Sequence, residues 1–136
     1  MESRVNKAAE NHQKGYNCAQ AVACAYCDLA GIDEITLFKV TEAMGLGMGG
    51  MNGTCGAVTG ACALAGMINS CGDLDAPVSK GATYKVSKEI TDRFLAETGA
   101  LTCREIKGID TGKILKRCPD CVKDAARILE EVCFGK

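Results

Sequence analysis

The sequence predicts an all-α fold, a single-domain bundle of about six helices, and three observations lead there. Apolar residues recur at helical spacing over most of the chain, capping and stop residues bracket those stretches, and no alternating run reads as a strand. The 136 residues match about one ordinary domain without linker or repeat, so residues 1–136 are taken as one unit.

The elements follow in order. Glu2 to Lys14 reads as a surface helix with Val5, Ala8 and Ala9 on one face and Gly15 as its stop. Asn17 and Gln20 stand at capping-box spacing and open a helix expected to run to Ala30, ended by Gly31. Ile32 to Met44 is a third helix. The run Gly45-Leu46-Gly47-Met48-Gly49-Gly50-Met51-Asn52-Gly53 is too rich in glycine for a helix or strand interior and reads as a loop. Thr54 is placed as the cap of a buried central helix from Cys55 to about Ser70. Ser79 opens a longer helix to Thr98, closed by Gly99, and Thr102 with Glu105 brackets a short helix ending near Gly108. Cys118 is placed as the cap of the last helix, with Pro119 at its first position, running to about Cys133 along the apolar stripe Val122, Ala125, Ala126, Leu129 and Val132.

Composition narrows the function classes. The net charge is −1, with no basic stretch that would recommend a nucleic acid or an anionic membrane surface. No charge occurs from Ala43 to Gly72, but the helical part of that stretch is shorter than the ~20 residues of a membrane span. With no Trp, three Phe and three Tyr, small residues supply much of the interior and favour close helix packing. Those small-residue faces and the uncharged stretch also point to burial against a second copy, as a homodimer.

Ten cysteines are the outlying number. Such counts belong to disulfide-stapled secreted domains or to intracellular metal and redox proteins. The polar start, Met1 to Lys7, has no apolar leader segment, so the expected compartment is reducing and cytoplasmic. Cys18, Cys55, Cys103 and Cys118 fall at the starts of four different helices. Unpaired N–H groups and partial positive charge there favour thiolate over thiol, a route to nucleophilic or ligating sulfur. Cys121 joins Cys118 in a C-x-x-C of dithiol type. Cys24, Cys27, Cys62, Cys71 and Cys133 lie among apolar neighbours and read as core packing. His12, the single histidine, stands on a polar helix and reads as solvated, so no Cys–His or Ser–His–Asp arrangement can be assembled.

The run Asn17-Cys18-Ala19-Gln20-Ala21-Val22, then Gly49-Gly50, Cys55-Gly56-Ala57-Val58-Thr59-Gly60, Cys103-Arg104-Glu105 and Cys118-Pro119 with Val122 and Ala125-Ala126, resembles the C_GCAxxG_C_C family of putative redox-active proteins. The likeness covers nearly the whole chain, with Cys55-Gly56-Ala57 standing where the family's name writes Gly-Cys-Ala. It implies four signature cysteines, which map onto Cys18, Cys55, Cys103 and Cys118. It also implies redox activity, and a similar domain in split-Soret-type cytochromes holds an iron–sulfur cluster. Covalent haem is not expected, since no C-x-x-C-H occurs.

Three functions stay open. An iron–sulfur cluster held by Cys18, Cys55, Cys103 and Cys118 would serve electron transfer with a redox partner protein or a small electron donor or acceptor. A thiol–disulfide oxidoreductase or redox sensor would use Cys118 with Cys121, or Cys55, as the catalytic thiol. A structural Zn or soft-metal thiolate site would bind without catalysis.

Overall fold

The computed structural model describes residues 1–135. Helices form where the capping and apolar patterns place them: α1 (Val5–Gln13), α2 (Cys18–Cys24), α3 (Glu34–Thr41), α4 (Gly56–Asn69), α5 (Lys80–Thr98), α6 (Cys103–Lys107) and α7 (Cys118–Cys133). Among the described residues there are no strands, only one antiparallel bridge between Thr54 and Thr102. No helix among them is long and apolar enough to cross a membrane.

The central element is α4, which carries no charged residue and packs on α2, α5 and α7. Its contact with α2 depends on missing side chains. A Cβ at Gly60 would stand 2.8 Å from Ala19 Cα, and one at Gly56 would stand 3.4 Å from Ala19 N and 3.1 Å from Met44 O. Because neither Cβ exists, the backbones of α2 and α4 approach closely at their N-terminal ends. Around this contact, Val22, Tyr26, Leu37, Val58, Leu64, Ile90, Phe94, Val122, Ile128 and Leu129 are fully buried. Burying each such apolar side chain is worth about 1.5–3 kcal/mol relative to exposure.

Several boundaries differ from the sequence expectation. The second helix stops at Cys24, and Cys27–Ala30 is a separate 3-10 turn rather than its continuation. The chain bends at Tyr26 (φ −122°), whose buried hydroxyl donates to the carboxylate of Glu130 on α7. Glu130, itself 2% exposed, also accepts from the backbone N–H of Arg4 at 2.7 Å and from Ser3 Oγ at 3.3 Å. The third helix likewise gives way to a 3-10 turn, Glu42–Met44.

Capping moves by one residue at two places, and at a third the expected cap residue stands without its capping bond. Cys55 itself is the N-cap of α4, because the Thr54 backbone pairs with Thr102 and lies outside the helix. Arg117, extended at ψ 153°, caps α7 and accepts from Asp120 N–H and Cys121 N–H, which leaves Cys118 as the first helical residue and Pro119 as the second. Thr102 and Glu105 bond each other, Oγ1 to Oε1 at 2.7 Å, and no side-chain cap closes on the backbone of α6. The Asn17–Gln20 box forms in full, with both reciprocal bonds at 2.9 Å.

Candidate functional site

A cavity of about 180 Å³ lies among the N-terminal ends of α2, α4, α6 and α7. Cys18, Cys55, Cys103, Cys118 and Cys121 all line it, with His12, Asn17, Leu46, Gly56, Ile106, Lys107 and Lys116 completing the wall. Residues distant in sequence thus meet because helix starts converge. The Gly56–Ala19 approach sets Cys18 beside Cys55, and the capping box orients the first turn of α2.

Cys103 is brought in by the glycine-rich loop. Leu46, Gly47, Met48 and Gly49 all have positive φ (55°, 57°, 63° and 85°), so the chain makes a left-handed turn there. Non-glycine residues occupy that region only at a cost, of roughly 1–2 kcal/mol each. The turn is tied by Gly49 N–H to Gly45 O and Gly53 N–H to Gly47 O. The loop's carbonyls then receive α6: Cys103 N–H donates to Gly53 O at 3.0 Å and Arg104 N–H to Met51 O at 2.8 Å. A Cβ at Gly47 would fall 2.5 Å from Cys103 Cβ, so glycine is required for the loop to lie against this cysteine.

The five thiols are not equivalent. Cys118 is held down to about 5, first by the neighbouring Cys18 thiol, which donates to its anion, and then by the Lys107 ammonium, 3.1 Å away. His12 adds a smaller favourable charge effect on Cys118, and its Nε2 lies 4.0 Å from Cys18 Sγ. Cys18 keeps its proton, pushed up by its donation to Cys118 and by burial. Cys55 is held down to about 7, first by the Cys121 thiol and then by the first-turn amides of Ala57 and Val58. Those amides act on the sulfur as a field rather than as a formed cap, since no capping bond of normal geometry closes there. Cys121 is correspondingly raised, and burial raises Cys103. Cys118 thus has Cys18 as its thiol neighbour, and Cys121 has Cys55.

The cavity therefore gathers the four helix-start cysteines together with Cys121. His12, expected to be solvated, instead lines the wall, because α1 packs against α2 and α7 and turns that face inward. Lys107 and Lys116 went unnoticed in the sequence. Lys107 had one usable signal, its place four residues after Cys103 on the same helix face. Of the cysteines read as core, Cys24 is buried and Cys27, Cys62 and Cys133 are half-buried. Cys71 departs from that reading. It is exposed in the loop after α4, and it is held down to about 7 first by Ser79 and then by backbone N–H groups.

A family model described as "Putative redox-active protein (C_GCAxxG_C_C)" matches residues 16–132. The chain belongs to this family. No curated protein and no solved structure matches it. The matched span of the C_GCAxxG_C_C model takes in all five cavity cysteines and leaves out His12. Sulfur donors without any carboxylate in the wall make a soft ligand set, suited to iron–sulfur or other thiolate chemistry. Among the described residues, no group of three or more His, Cys, Asp and Glu side chains is gathered to hold a single metal ion.

Proposed function

We propose that the cavity is an iron–sulfur site serving electron transfer, with Cys18, Cys55, Cys103 and Cys118 as its thiolate ligands. The observation that carries this reading is the convergence of four helix-start sulfurs on one cavity of about 180 Å³. When bound, a cluster supplies a one-electron couple whose potential follows the charge, hydrogen bonding and burial around it. The residues here address each of those. Lys107 donates to Cys118 sulfur, Lys107 and Lys116 offset negative charge, and Leu46 and Ile106 limit water.

The neighbouring thiols support a second reading, a dithiol. Oxidation of the Cys18 thiol and the Cys118 thiolate would form one S–S bond, pass two electrons to an acceptor and release the single proton held by Cys18. The thiolate character of Cys118 and the protonated state of Cys18 suit that chemistry.

Iron and sulfide analysis of anaerobically purified chain separates these readings. Stoichiometric iron and sulfide with visible charge-transfer absorption, lost in Cys18→Ser, is the outcome expected of the cluster. A colourless, iron-free chain with a reducible Cys18–Cys118 disulfide would replace it with the dithiol, and stoichiometric Zn with inert thiols would refute both.

A further inference from the structure

The thiol cavity has a second space outside it. A groove of about 430 Å³ is lined by Lys107, Ile114, Lys116, Arg117, Cys118 and Pro119. Cys118, Lys107 and Lys116 line both spaces, so this cysteine stands at the junction between the inner cavity and the open groove. Apart from the thiols, the charged side chains lining the two spaces are Lys107, Lys116 and Arg117, and no carboxylate lines either.

The cations differ in how far they are already satisfied. Lys116 is tied to Thr98 Oγ1 and to Asp124, and Lys107 directs one of its donors to the Cys118 sulfur, whereas among the described residues no carboxylate pairs with Arg117. Arg117 is exposed and faces the groove. The backbone adds to this, because α7 begins at Cys118 and presents its positive end there. The nearest acidic residue in sequence, Asp120, is exposed and is absent from the groove wall. Ile114 and Pro119 supply an apolar floor beside the charges. A guanidinium and an ammonium over a small apolar surface are the recognition elements for a carboxylate or phosphate group on a small organic molecule.

We propose that this groove is a binding site for a small anionic reactant, one carrying a carboxylate or phosphate, seated between Arg117 and Lys107 against the outer face of Cys118. The proposal rests on the thiol cavity being the redox centre and adds the charge class of what reaches it. The chain as a whole carries −1, so the attraction is local to this mouth rather than a property of the molecule.

Paired alkylating reagents of nearly equal size test it. The probes are iodoacetate, an anion, and iodoacetamide, which is neutral. With either one, the cysteine sulfur forms a bond to carbon and iodide leaves, so thiolate content cancels in the ratio of the two rates. The reduced full-length chain, stripped of metal by a chelator, is labelled, and peptides are resolved by mass spectrometry. Exposed Cys71, outside the groove, is the reference within the same molecule. The iodoacetate-to-iodoacetamide ratio at Cys118 is expected to exceed that at Cys71 by about tenfold, from local field steering. It should fall several-fold in Arg117→Glu, hold in Arg117→Lys and shrink at high salt.

Inorganic pyrophosphate, a small polyanion, should slow iodoacetamide labelling of Cys118 and leave Cys71 alone. Equal ratios at the two thiols, a ratio unmoved by Arg117→Glu, or no protection by pyrophosphate would overturn the proposal. Failure here is separable from failure of the cluster reading. An iron-free chain leaves the ratio standing, and a flat ratio in a chain that purifies with iron removes only the groove.

Discussion

The Lys107 ammonium lies 3.1 Å from the sulfur of Cys118, and the two residues come from different helices, α6 and α7. This contact couples the short helix that delivers Cys103 to the long helix that delivers Cys118. It also places a fixed positive charge where a thiolate is wanted, so the same bond contributes to packing and to electrostatics.

Replacing Lys107 by Met keeps most of the side chain's bulk and deletes its charge. The Cys118 thiol should move up from about 5 toward the ordinary thiol range, though not fully, because the Cys18 thiol remains as its first stabilising neighbour. Ultraviolet thiolate absorbance against pH in the metal-free chain reads this. No movement in Lys107→Met would show that Cys18 alone sets the thiol.

The depressed thiols make stability depend on pH in a stated direction. Folded Cys118 titrates near 5 and Cys55 near 7, both below the 9.0 of an ordinary thiol, so over these intervals the unfolded chain binds more protons. Their contribution to the reduced, metal-free protein is full above pH 9. It is lost as pH falls, over the interval from 9 to about 7 for Cys55 and from 9 to about 5 for Cys118. Raised Cys18 and Cys121 act oppositely, but only above 9, where unfolded thiols would ionise. Urea midpoints should therefore rise between about pH 5 and 8, less steeply in Cys118→Ser; a flat or falling trend that Cys118→Ser leaves unchanged would contradict the assignment.

Gly47→Ala tests the left-handed turn. The new methyl would meet Cys103 Cβ at 2.5 Å and Gly53 O at 2.8 Å while holding a φ of +57°. Destabilisation of about 2–4 kcal/mol is expected from the strained backbone and the overpacking together. Gly50, which has open space at its Cβ position and no positive φ, should tolerate the same change with little loss. Denaturant unfolding of the pair gives the comparison.

Tyr26→Phe removes a donor from the buried Glu130 carboxylate and leaves its bonds from Arg4 N–H and Ser3 Oγ. The loss should be about 1.5–3 kcal/mol, as for hydrogen bonds to charged groups. Because Tyr26 lies outside the cavity wall, iron retention by the folded variant should match the parent; a selective loss of iron would show that this bond positions the thiol site.

Much of this arrangement can be read from local chemistry, and the rest depends on contacts between distant residues. The Asn17–Gln20 box, the Gly99 and Gly108 stops and the first-turn positions of Cys18 and Cys103 are local signals and form as the spacing says, while Cys118 stands one position further into its helix than expected and the second helix ends at Cys24 rather than at Ala30. The bend at Tyr26 is not local, because its partner Glu130 is 104 residues away. Cys121 and His12 reach the cavity through the docking of α7 and α1, which no short window records. The left-handed turn is half legible. Gly47 and Gly49 announce it, but Leu46 and Met48 adopt positive φ against their own preference because the loop is held from both ends.

The wide spread of the cavity's cysteines along the chain bears on how the protein is made. Cys18 and Cys55 leave the ribosome well before Lys107, Cys118 and Cys121. On a ribosome the early thiols are therefore exposed together without their lysine, their fifth sulfur or the helix that closes the wall. The five sulfurs share one cavity only once α7 has docked, so a chain interrupted before that helix would keep most of its cysteines and still lack the cavity.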